Sequence, residues 1–387
     1  MEYKKLSECA DFRNERTKQI DFETYISTEN MLPNKAGVST AESLPDVKTT
    51  TKYLPKDILL SNIRPYFKKI WFSNREGGCS NDVLVVTAKQ GVNPNYLYYV
   101  LSDNNFFNYD TITSKGTKMP RGTPKAIMKY LVPDVDKDYQ DKIVFILSRY
   151  DSLIEKNNKR IKVLEQMAEN LYKEWFVRFR FPGHENAEFE NGIPKEWIIQ
   201  RMEKYCKVTD GTHDTPLQTE NGVPLITGKC IKDGFIDFSI AYLISEKDHE
   251  KIKKRSGLNS GDILFSNIGT VGTTCLVNYY REFSVKNVII FKPNSYIKSL
   301  YLYYCLTSKP MQELFATQTN GASQQFVGLN FMRKFKILLP TEEILFHFYQ
   351  LVQPLQDERN KLHFINKNLI KQRDLLLPRL MSGKLEV

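Results

Sequence analysis

The feature that most constrains this chain is a long internal repeat. The segment DILLSNI at residues 57–63 returns as DILFSNI at residues 262–268, so the second copy follows the first by 205 residues. The same offset carries the YLYY segment at residues 96–99 onto an identical segment at residues 301–304. A solenoid repeat is far shorter, at about 20–50 residues. The sequence therefore predicts two copies of one domain-sized unit.

Each copy contains both strand-like and helix-like segments, separated by stretches rich in glycine and proline. Short apolar runs predict strands at residues 58–63, 70–72, 83–86, 263–268, 275–277 and 288–291. Helical patterns follow at residues 95–102 and 298–308. The predicted fold class is α+β, with two mixed α/β domains related by an internal pseudo-twofold repeat.

Each copy ends in a long heptad pattern. The stripe repeats every seven residues, and the second stripe lies 205 residues after the first: Ile143, Tyr150, Asn157, Leu164 and Leu171, then Phe348, Leu355, Leu362, Leu369 and Leu376. Apolar residues three places on, among them Leu153, Met167 and Leu351, predict an a/d seam. On the first helix this seam is widened by Leu147, Ile154 and Ile161. We expect a first helix over about residues 139–176 and a second that ends at Pro378.

Helices of this length exceed what one small domain can cover. We therefore expect them to pair with each other as an antiparallel coiled coil that separates the two domains. The alternative is that each helix packs only on its own domain. The predicted organisation is a first domain over 1–138, a helix over 139–181, a linker over 182–192, a second domain over 193–342, and a second helix with its tail over 343–387.

Motifs of several functional classes are absent from the sequence. The 387 residues carry a net charge of +10, which is spread too widely to be diagnostic. Without an apolar run of about 18–20 residues or an apolar N-terminal signal, we expect a soluble, cytoplasmic protein with no membrane contact. The six cysteines and five histidines lack metal-ligand spacing, and there is neither a P-loop nor a G-x-G-x-x-G motif. The sequence therefore predicts no metal site and no catalytic residues.

Two loops, one in each copy, have the composition of DNA-binding segments. Residues 114–125 interleave four cations with Gly, Pro and Thr, whereas the equivalent residues 319–325 are uncharged and rich in amides, which suit adenine edges. Unlike chemistry at one position is expected if the copies read different sequences; the alternative is an ordinary solvated loop. The candidate DNA-binding residues are Arg64, Tyr66, Lys68, Lys115, Gly116, Thr117, Lys118, Arg121, Thr212, His213, Asn267, Asn320, Gly321, Ser323, Gln324 and Gln325.

Five segments together point to a known family. They are YISTENMLP at 25–33, LYKEWFV at 171–177, IPKEW at 193–197, VTDGTH at 208–213 and LLLPRLMSGKL at 375–385. In this order, and with the duplication, the chain resembles the specificity subunit of type I restriction–modification systems. The resemblance covers the whole chain.

The resemblance implies two target-recognition domains that each read one half of a split double-stranded DNA site. It also implies that the helices dock methyltransferase and restriction subunits. S-adenosylmethionine, ATP and Mg²⁺ are then expected on those partner subunits, with no cofactor on this non-catalytic chain. Two other classes stay open: a coiled-coil scaffold that does not read DNA, and a self-contained methyltransferase or nuclease with unrecognised motifs.

Overall fold

The computed structural model of the chain describes residues 2–278, 281–319 and 326–385. The chain forms two compact units. The first contains the chain up to Asn158 together with the residues from His363 onward, and the second contains Lys159–Leu362. Each unit therefore combines one copy of the repeat with part of both long helices.

The first unit is built on antiparallel strands. Its main sheet has the order Ala10–Phe12, Val83–Ala88, Ile58–Ser61 and Ile70–Phe72. A second four-stranded sheet has the order Arg16–Thr17, Thr50–Tyr53, Gly77–Cys79 and Tyr25–Ile26, and its last pair is parallel. A two-stranded sheet joins Glu2–Lys5 to Leu131–Asp134. The short helices are Leu6–Cys9, Pro94–Ser102, Asn104–Thr113 and Pro124–Ile127.

The second unit repeats the main sheet. Its four strands have the order Lys207–Asp210, Val288–Lys292, Ile263–Ser266 and Thr274–Leu276. A three-stranded sheet contains Tyr242–Ile244, Val223–Ile226 and Ser284–Val285, and two-stranded pairs join Ile198–Arg201 to Lys336–Leu339, Ile231–Lys232 to Phe235–Ile236 and Phe189–Glu190 to Ile193–Pro194. The helices are Met202–Tyr205, Glu246–Ser256, Tyr296–Thr307, Lys309–Thr319 and Leu329–Lys334.

The duplication extends to the strand register. Leu59 pairs with Val85 in the first unit, and Leu264 pairs with Ile290 in the second. Both central strands are buried along their whole length, as expected for strands covered on both faces. The mixed α/β class predicted from the sequence is confirmed.

Two long helices dominate the chain, as the heptads predict. The first long helix is Lys137–Tyr172 and continues as one wider turn over Lys173–Val177. The second long helix is Glu342–Met381. No helix among the described residues is long and apolar enough to cross a membrane.

In the first unit the two long helices run antiparallel. Arg373 Nη1 donates to Asp151 Oδ1 at 2.6 Å, and Asn157 Nδ2 donates to Asn366 Oδ1 at 2.8 Å. Both asparagines are buried. Because the residue numbers rise along one helix as they fall along the other, these contacts fix both the direction and the register. Ile143 and Leu147 of the first helix share a core with Leu377 and Leu380 of the second.

In the second unit the same helices pair antiparallel through a different set of contacts. Arg359 Nε donates to Glu165 Oε1 at 2.6 Å, and Tyr172 packs on Phe348 with ring centroids 6.2 Å apart. Phe348 is fully buried, with Trp175 and Phe176 against it. This part of the helix pair therefore adds an aromatic cluster, and like the part in the first unit it contains buried polar residues, here Gln356 and Arg359.

The heptad stripe lies in the helix pair, and the structure buries Leu147 and Ile161, which were predicted to widen the seam, but the positions three residues on differ from the prediction. Among the stripe residues Ile143, Asn157, Phe348 and Leu362 are buried, and Tyr150, Leu164, Leu171, Leu355, Leu369 and Leu376 are half-buried. The partner positions lie four residues on, where Leu147, Ala168 and Val352 are buried, and not three residues on, because Leu153 and Leu351 are exposed. Polar residues Arg359, Asn366 and Arg373 occupy three of these positions, so the apolar pattern alone did not reveal them.

The predicted end of the second helix at Pro378 is wrong. The helix continues to Met381. Proline lacks only the N–H that would bond to Asp374, and Pro378 is exposed, so water can satisfy that carbonyl. Burial of Leu377, Leu380 and Met381 in the first unit's core stabilises the last turn.

Candidate nucleic-acid interface

The candidate DNA-binding residues of the first unit lie along one edge, which we call the recognition edge and which begins where the central strand Ile58–Ser61 ends. Ile63 forms an isolated β-bridge with Arg121, and Arg64 N donates to Pro120 O at 2.8 Å. The backbone thus joins the two loops that the sequence singles out, around Arg64 and around Lys115.

The loop from Lys115 to Arg121 is a small closed hairpin. Lys115 N donates to Arg121 O and Arg121 N donates to Lys115 O, both at 2.9 Å. Gly116 has φ +97, a conformation that a residue with a side chain adopts only under strain. Lys115, Thr117, Lys118 and Arg121 are exposed, and the Arg121 guanidinium is 3.2 Å from Asp82 Oδ1. Lysine and arginine side chains therefore project from a backbone that is fixed in place.

The neighbouring loop is strained and aromatic. Arg64 and Lys68 flank the short 3₁₀ turn Pro65–Phe67, and both have left-handed backbone, with φ +51 and +53. Tyr66 and Phe67 are exposed, with ring centroids 4.8 Å apart. A left-handed backbone conformation costs free energy for a residue other than glycine, and such residues concentrate at functional sites. Exposed aromatics beside cations suit contacts with bases and phosphates.

A buried carboxyl group lies under these loops. Asp110 is fully buried, and neither of its oxygens has a hydrogen-bond partner among the described residues. Burial raises the pKa of Asp110 to about 7. A Cβ placed on Gly122 would be 2.6 Å from Asp110 Oδ1 and 2.8 Å from Asn62 Oδ1, so only glycine leaves room for both side chains.

The second unit repeats this backbone frame. Ile268 forms an isolated β-bridge with Phe326, and Val327 N donates to Asn267 O at 3.0 Å, as Gly122 N donates to Asn62 O at 2.9 Å in the first unit. The bridges of the two units are again 205 residues apart. The tip of this second loop, with the predicted residues Asn320, Gly321, Ser323, Gln324 and Gln325, lies outside the described residues.

His213, one of the residues predicted to contact DNA, is exposed on the second unit. Its Nε2 is 2.7 Å from Asp210 Oδ2, and its Nδ1 is 3.0 Å from Asn287 Oδ1. Arg255 Nη2 donates to the other oxygen of Asp210 at 2.7 Å. The imidazole is therefore held in one orientation at the surface, with a cation beside it.

Two predicted contact residues have structural roles instead. Asn267 is buried and its Nδ2 donates to Val327 O at 3.2 Å. Thr212 is also buried, and its hydroxyl accepts from Asp214 N at 3.1 Å. Both side chains support the loops from inside the domain, so their assignment as DNA contacts is not supported by the geometry.

The sequence analysis missed one segment of this edge. The turn around Asn34 and Lys35 bonds to the strained loop, because Asn34 N donates to Phe67 O at 2.8 Å and Lys35 N donates to Lys68 O at 2.9 Å. Its only sequence signal is the series Pro-Asn-Lys-Ala-Gly at 33–37, which is typical of a turn. Across the described residues, no group of three or more His, Cys, Asp or Glu is placed to hold a metal ion.

Sequence comparison supplies an independent line of evidence. The family described as "Type I restriction modification DNA specificity domain" matches the chain twice, over residues 2–166 and 194–362. These two matches together cover most of the chain and correspond to the two copies of the repeat.

Individual relatives agree with this match. The chain is 27% identical over 318 residues to the type I restriction enzyme MjaIX specificity subunit of Methanocaldococcus jannaschii, an alignment that covers 78% of this chain and 71% of that protein. It is 21% identical over 457 aligned positions to the HindI specificity subunit of Haemophilus influenzae, which covers 97% and 98%.

A solved structure shares the fold. The S subunit of a type I restriction–modification system from M. genitalium aligns with a TM-score of 0.55 and 11% identity, over 98% of this chain and 96% of that one. At this identity the likeness concerns the fold alone.

Proposed function

Because this chain belongs to the type I restriction–modification DNA specificity family and carries its domain twice, we propose that each unit reads one half of a bipartite DNA target. The chain is a specificity subunit, which is the non-catalytic DNA-recognition component of such a system. Membership implies DNA and assembly with other subunits as its partners.

The observation that carries the proposal is the joined pair of loops in the first unit. Backbone hydrogen bonds hold the Arg64 loop against the Lys115–Arg121 hairpin, so four exposed cationic residues, Arg64, Lys115, Lys118 and Arg121, share one edge. Lysine and arginine neutralise phosphates, and arginine can donate two hydrogen bonds to a guanine edge. A rigid backbone with mobile cationic ends suits both tasks.

The second unit supports the bipartite part of the proposal. It has the same frame, yet Phe326 stands where the first unit has Arg121. An exposed phenylalanine contacts apolar groups such as the thymine methyl and cannot replace a guanidinium. Two domains with one frame and unlike side chains are suited to two different half-sites.

We further propose that the long helices dock methyltransferase subunits. Phe145, Val163 and Met167 are exposed along the first long helix, with side chains 60%, 58% and 50% accessible. Phe145 and Val163 are about five turns apart and therefore on one side of the helix. Phe346, Phe364 and Leu375 form a similar row on the second long helix. These exposed apolar side chains on otherwise polar helices support the docking proposal.

The catalytic chemistry is assigned to partners in this proposal. Methyltransferase subunits would carry S-adenosylmethionine, and restriction subunits would join the assembly with ATP and Mg²⁺. This chain would contribute the choice of sequence and the docking surfaces.

The test is to co-express this chain with the methyltransferase subunit encoded beside it and to map adenine methylation on bulk DNA by long-read sequencing. We expect a split motif with a fixed spacer that disappears when this chain is omitted. A matched variant with Lys115, Lys118 and Arg121 all changed to Ala should relax one half of that motif only. Methylation that is independent of this chain would contradict the proposal and favour a scaffold role.

A further inference from the structure

Each unit contains a hairpin turn that lies against the long helices. In the first unit the two central residues are Asn34 and Lys35, with φ +56 and +62. In the second they are Asp233 and Gly234, with φ +49 and +71, between the strands Ile231–Lys232 and Phe235–Ile236. Two-residue turns of this kind need left-handed backbone at both positions. Lysine is an uncommon choice for such a position.

In the first unit a cation on the turn reaches a carboxylate on a helix. Lys35 Nζ lies 3.4 Å from Asp374 Oδ2, and the Lys35 side chain is only 10% exposed. The burial lowers the pKa of Lys35 from its ordinary value, and the negative charge of Asp374 opposes that effect. Lysine at a partly buried site needs such a partner.

The carboxylate is itself fixed by the helix pair. Arg373 donates to Asp374 Oδ1 through Nε at 3.1 Å and Nη2 at 2.9 Å, and its Nη1 donates to Asp151 at 2.6 Å. Tyr99 donates its hydroxyl proton to the other oxygen of Asp151 at 2.6 Å. The acceptor of Lys35 thus belongs to a polar network that includes both long helices and the core of the first domain.

In the second unit a cation on the helix contacts a carbonyl group on the turn. Arg359 lies on the helix and is 3% exposed; its Nη2 donates to the turn carbonyl of Asp233 at 2.7 Å. Its Nε donates to Glu165 at 2.6 Å, and its guanidinium lies 3.8 Å above the Phe235 ring. Both units therefore join a turn to the helix pair with one buried cation, although the cation comes from the turn in one unit and from the helix in the other.

The turn of the first unit also holds the DNA-reading loop. Asn34 N and Lys35 N donate to the carbonyls of Phe67 and Lys68, which end the strained segment that carries Tyr66. A displacement of the turn would therefore displace this loop. Small errors in the placement of contact groups have large effects on recognition.

We propose that Lys35 is a positioning residue for reading of the first half-site: its contact with Asp374 fixes the turn, and the turn fixes the loop from Arg64 to Lys68. The inference rests on the proposed function, since it requires that the first unit reads DNA. Lys35 itself need not touch the DNA.

The experiment uses the full chain in complex with its methyltransferase partner. The variants are Lys35→Met, Lys35→Arg and Asp374→Asn, with Lys56→Met as the matched control. Lys56 is also a first-unit lysine with left-handed backbone, φ +75, but it is exposed and has no ion pair among the described residues. For each variant, methylation rates are compared between the cognate site and sites with a single base changed in either half.

We expect Lys35→Met to reduce discrimination at the first half-site by about tenfold and to leave the second unchanged, a loss in the range of ordinary contact couplings. Lys35→Arg should restore most of it, and Asp374→Asn should share the defect from the helix side. A chain that carries both Lys35→Met and Asp374→Asn should lose no more discrimination at the first half-site than Lys35→Met alone.

A discrimination ratio does not depend on the fraction of active protein, so simple loss of folded protein would leave it unchanged. If Lys35→Met and Asp374→Asn both keep the wild-type ratio, the inference is overturned. Equal losses at both half-sites would overturn it too, because they would indicate a general structural role. If the wild-type complex itself methylates no split motif, the proposed function fails instead.

Discussion

In the first unit the recognition loops cover a buried carboxyl group, whereas in the second the corresponding space is filled with hydrocarbon. Asp110 and Gly122 of the first unit correspond to Phe315 and Val327 of the second, each pair 205 residues apart, and both of the latter are buried. Gly122 makes room for the polar pair, and Val327 is accommodated where no carboxylate is present. The two positions have changed together.

The equivalent aspartates Asp57 and Asp262, which directly precede the central strands, show the same kind of paired difference. Asp57 accepts from Arg13 Nε at 2.7 Å and Nη2 at 3.1 Å, and Asp262 pairs with Lys292 instead. Arg13 follows the strand Ala10–Phe12 of the first unit's main sheet, whereas Lys292 ends the strand Val288–Lys292 of the second unit's main sheet. The backbone frame is common to both units, and the side chains that stabilise it differ in matched sets. Each domain can therefore change its contacts without the other.

The largest expected difference between the two units is in the stability lost when Arg359 or Lys35, the cations that join a turn to a long helix, is replaced. Arg359→Met should lower the free energy of unfolding by about 2–3 kcal/mol, because it removes the hydrogen bonds to the Glu165 carboxylate and to the Asp233 carbonyl. Lys35→Met should cost no more than about 1 kcal/mol, since Met fills the space and Asp374 keeps Arg373. Urea unfolding measures both. Lys361→Met, an exposed position on the same helix, is the control; equal costs for the two cations would remove the contrast.

The carboxyl group of the first unit should make its stability depend on pH. The pKa of Asp110 is raised from 3.8 to about 7, so folding favours the protonated form. Below pH 4 the carboxyl group is protonated in both the folded and the unfolded state and adds no penalty. As pH rises from 4 to 7 the free energy of unfolding falls, and above pH 7 the loss is constant at up to about 4 kcal/mol. Asp110→Asn should therefore gain stability over wild type between pH 4 and 7, as measured by urea unfolding at several pH values.

The matched control for this titration is the exposed Asp46→Asn, which should show no such gain. A difference between Asp110→Asn and wild type that does not vary with pH would contradict the assignment.

Side chains at the equivalent bridge positions should act on different half-sites. Arg121→Ala should weaken binding to the first half-site by about 1–3 kcal/mol, and Phe326→Ala should affect the second alone. Titration of the methyltransferase complex with duplexes that have either half scrambled measures both effects. Loss of the same size for Arg121→Ala on both scrambled duplexes would contradict its role in base reading.

The smallest effect is expected for a cation that contacts only phosphate. Lys118→Ala should weaken binding almost equally for all sequences and reduce the slope of log affinity against log salt by about 1. The measurement is binding at several salt concentrations. A change in sequence preference would instead place Lys118 at a base edge.

The repeat and the heptads predicted the frame because they depend on local patterns. Strand and helix bounds agree within a few residues where apolar residues recur regularly, as at Val83–Ala88 and Lys137–Tyr172. The seam was predicted less well. Apolar residues stand both three and four places after several stripe positions, so the pattern could not distinguish exposed Met167 from buried Ala168.

The contacts that fix the recognition edge depend on residues far apart in sequence. Lys35 meets Asp374 across 339 positions, and no motif links them. Asn267 was predicted to contact DNA, but its burial became visible only when Val327 was placed beside it. Patterns identify which segments carry function; side-chain roles within them require the fold.

The polar layers of the helix pair have a consequence for which helices can associate. Asp151 and Glu165 are equally spaced about Asn158, and Arg359 and Arg373 are equally spaced about Asn366, which bonds to both Asn157 and Asn158. If two copies of the first long helix paired antiparallel about this centre, acid would face acid, and in two copies of the second long helix arginine would face arginine. Only the pairing of unlike helices places each of these two acids opposite one of these two arginines. During synthesis the first long helix is complete long before the second, and this arrangement discourages it from joining the same helix of a neighbouring chain while it waits for its own partner.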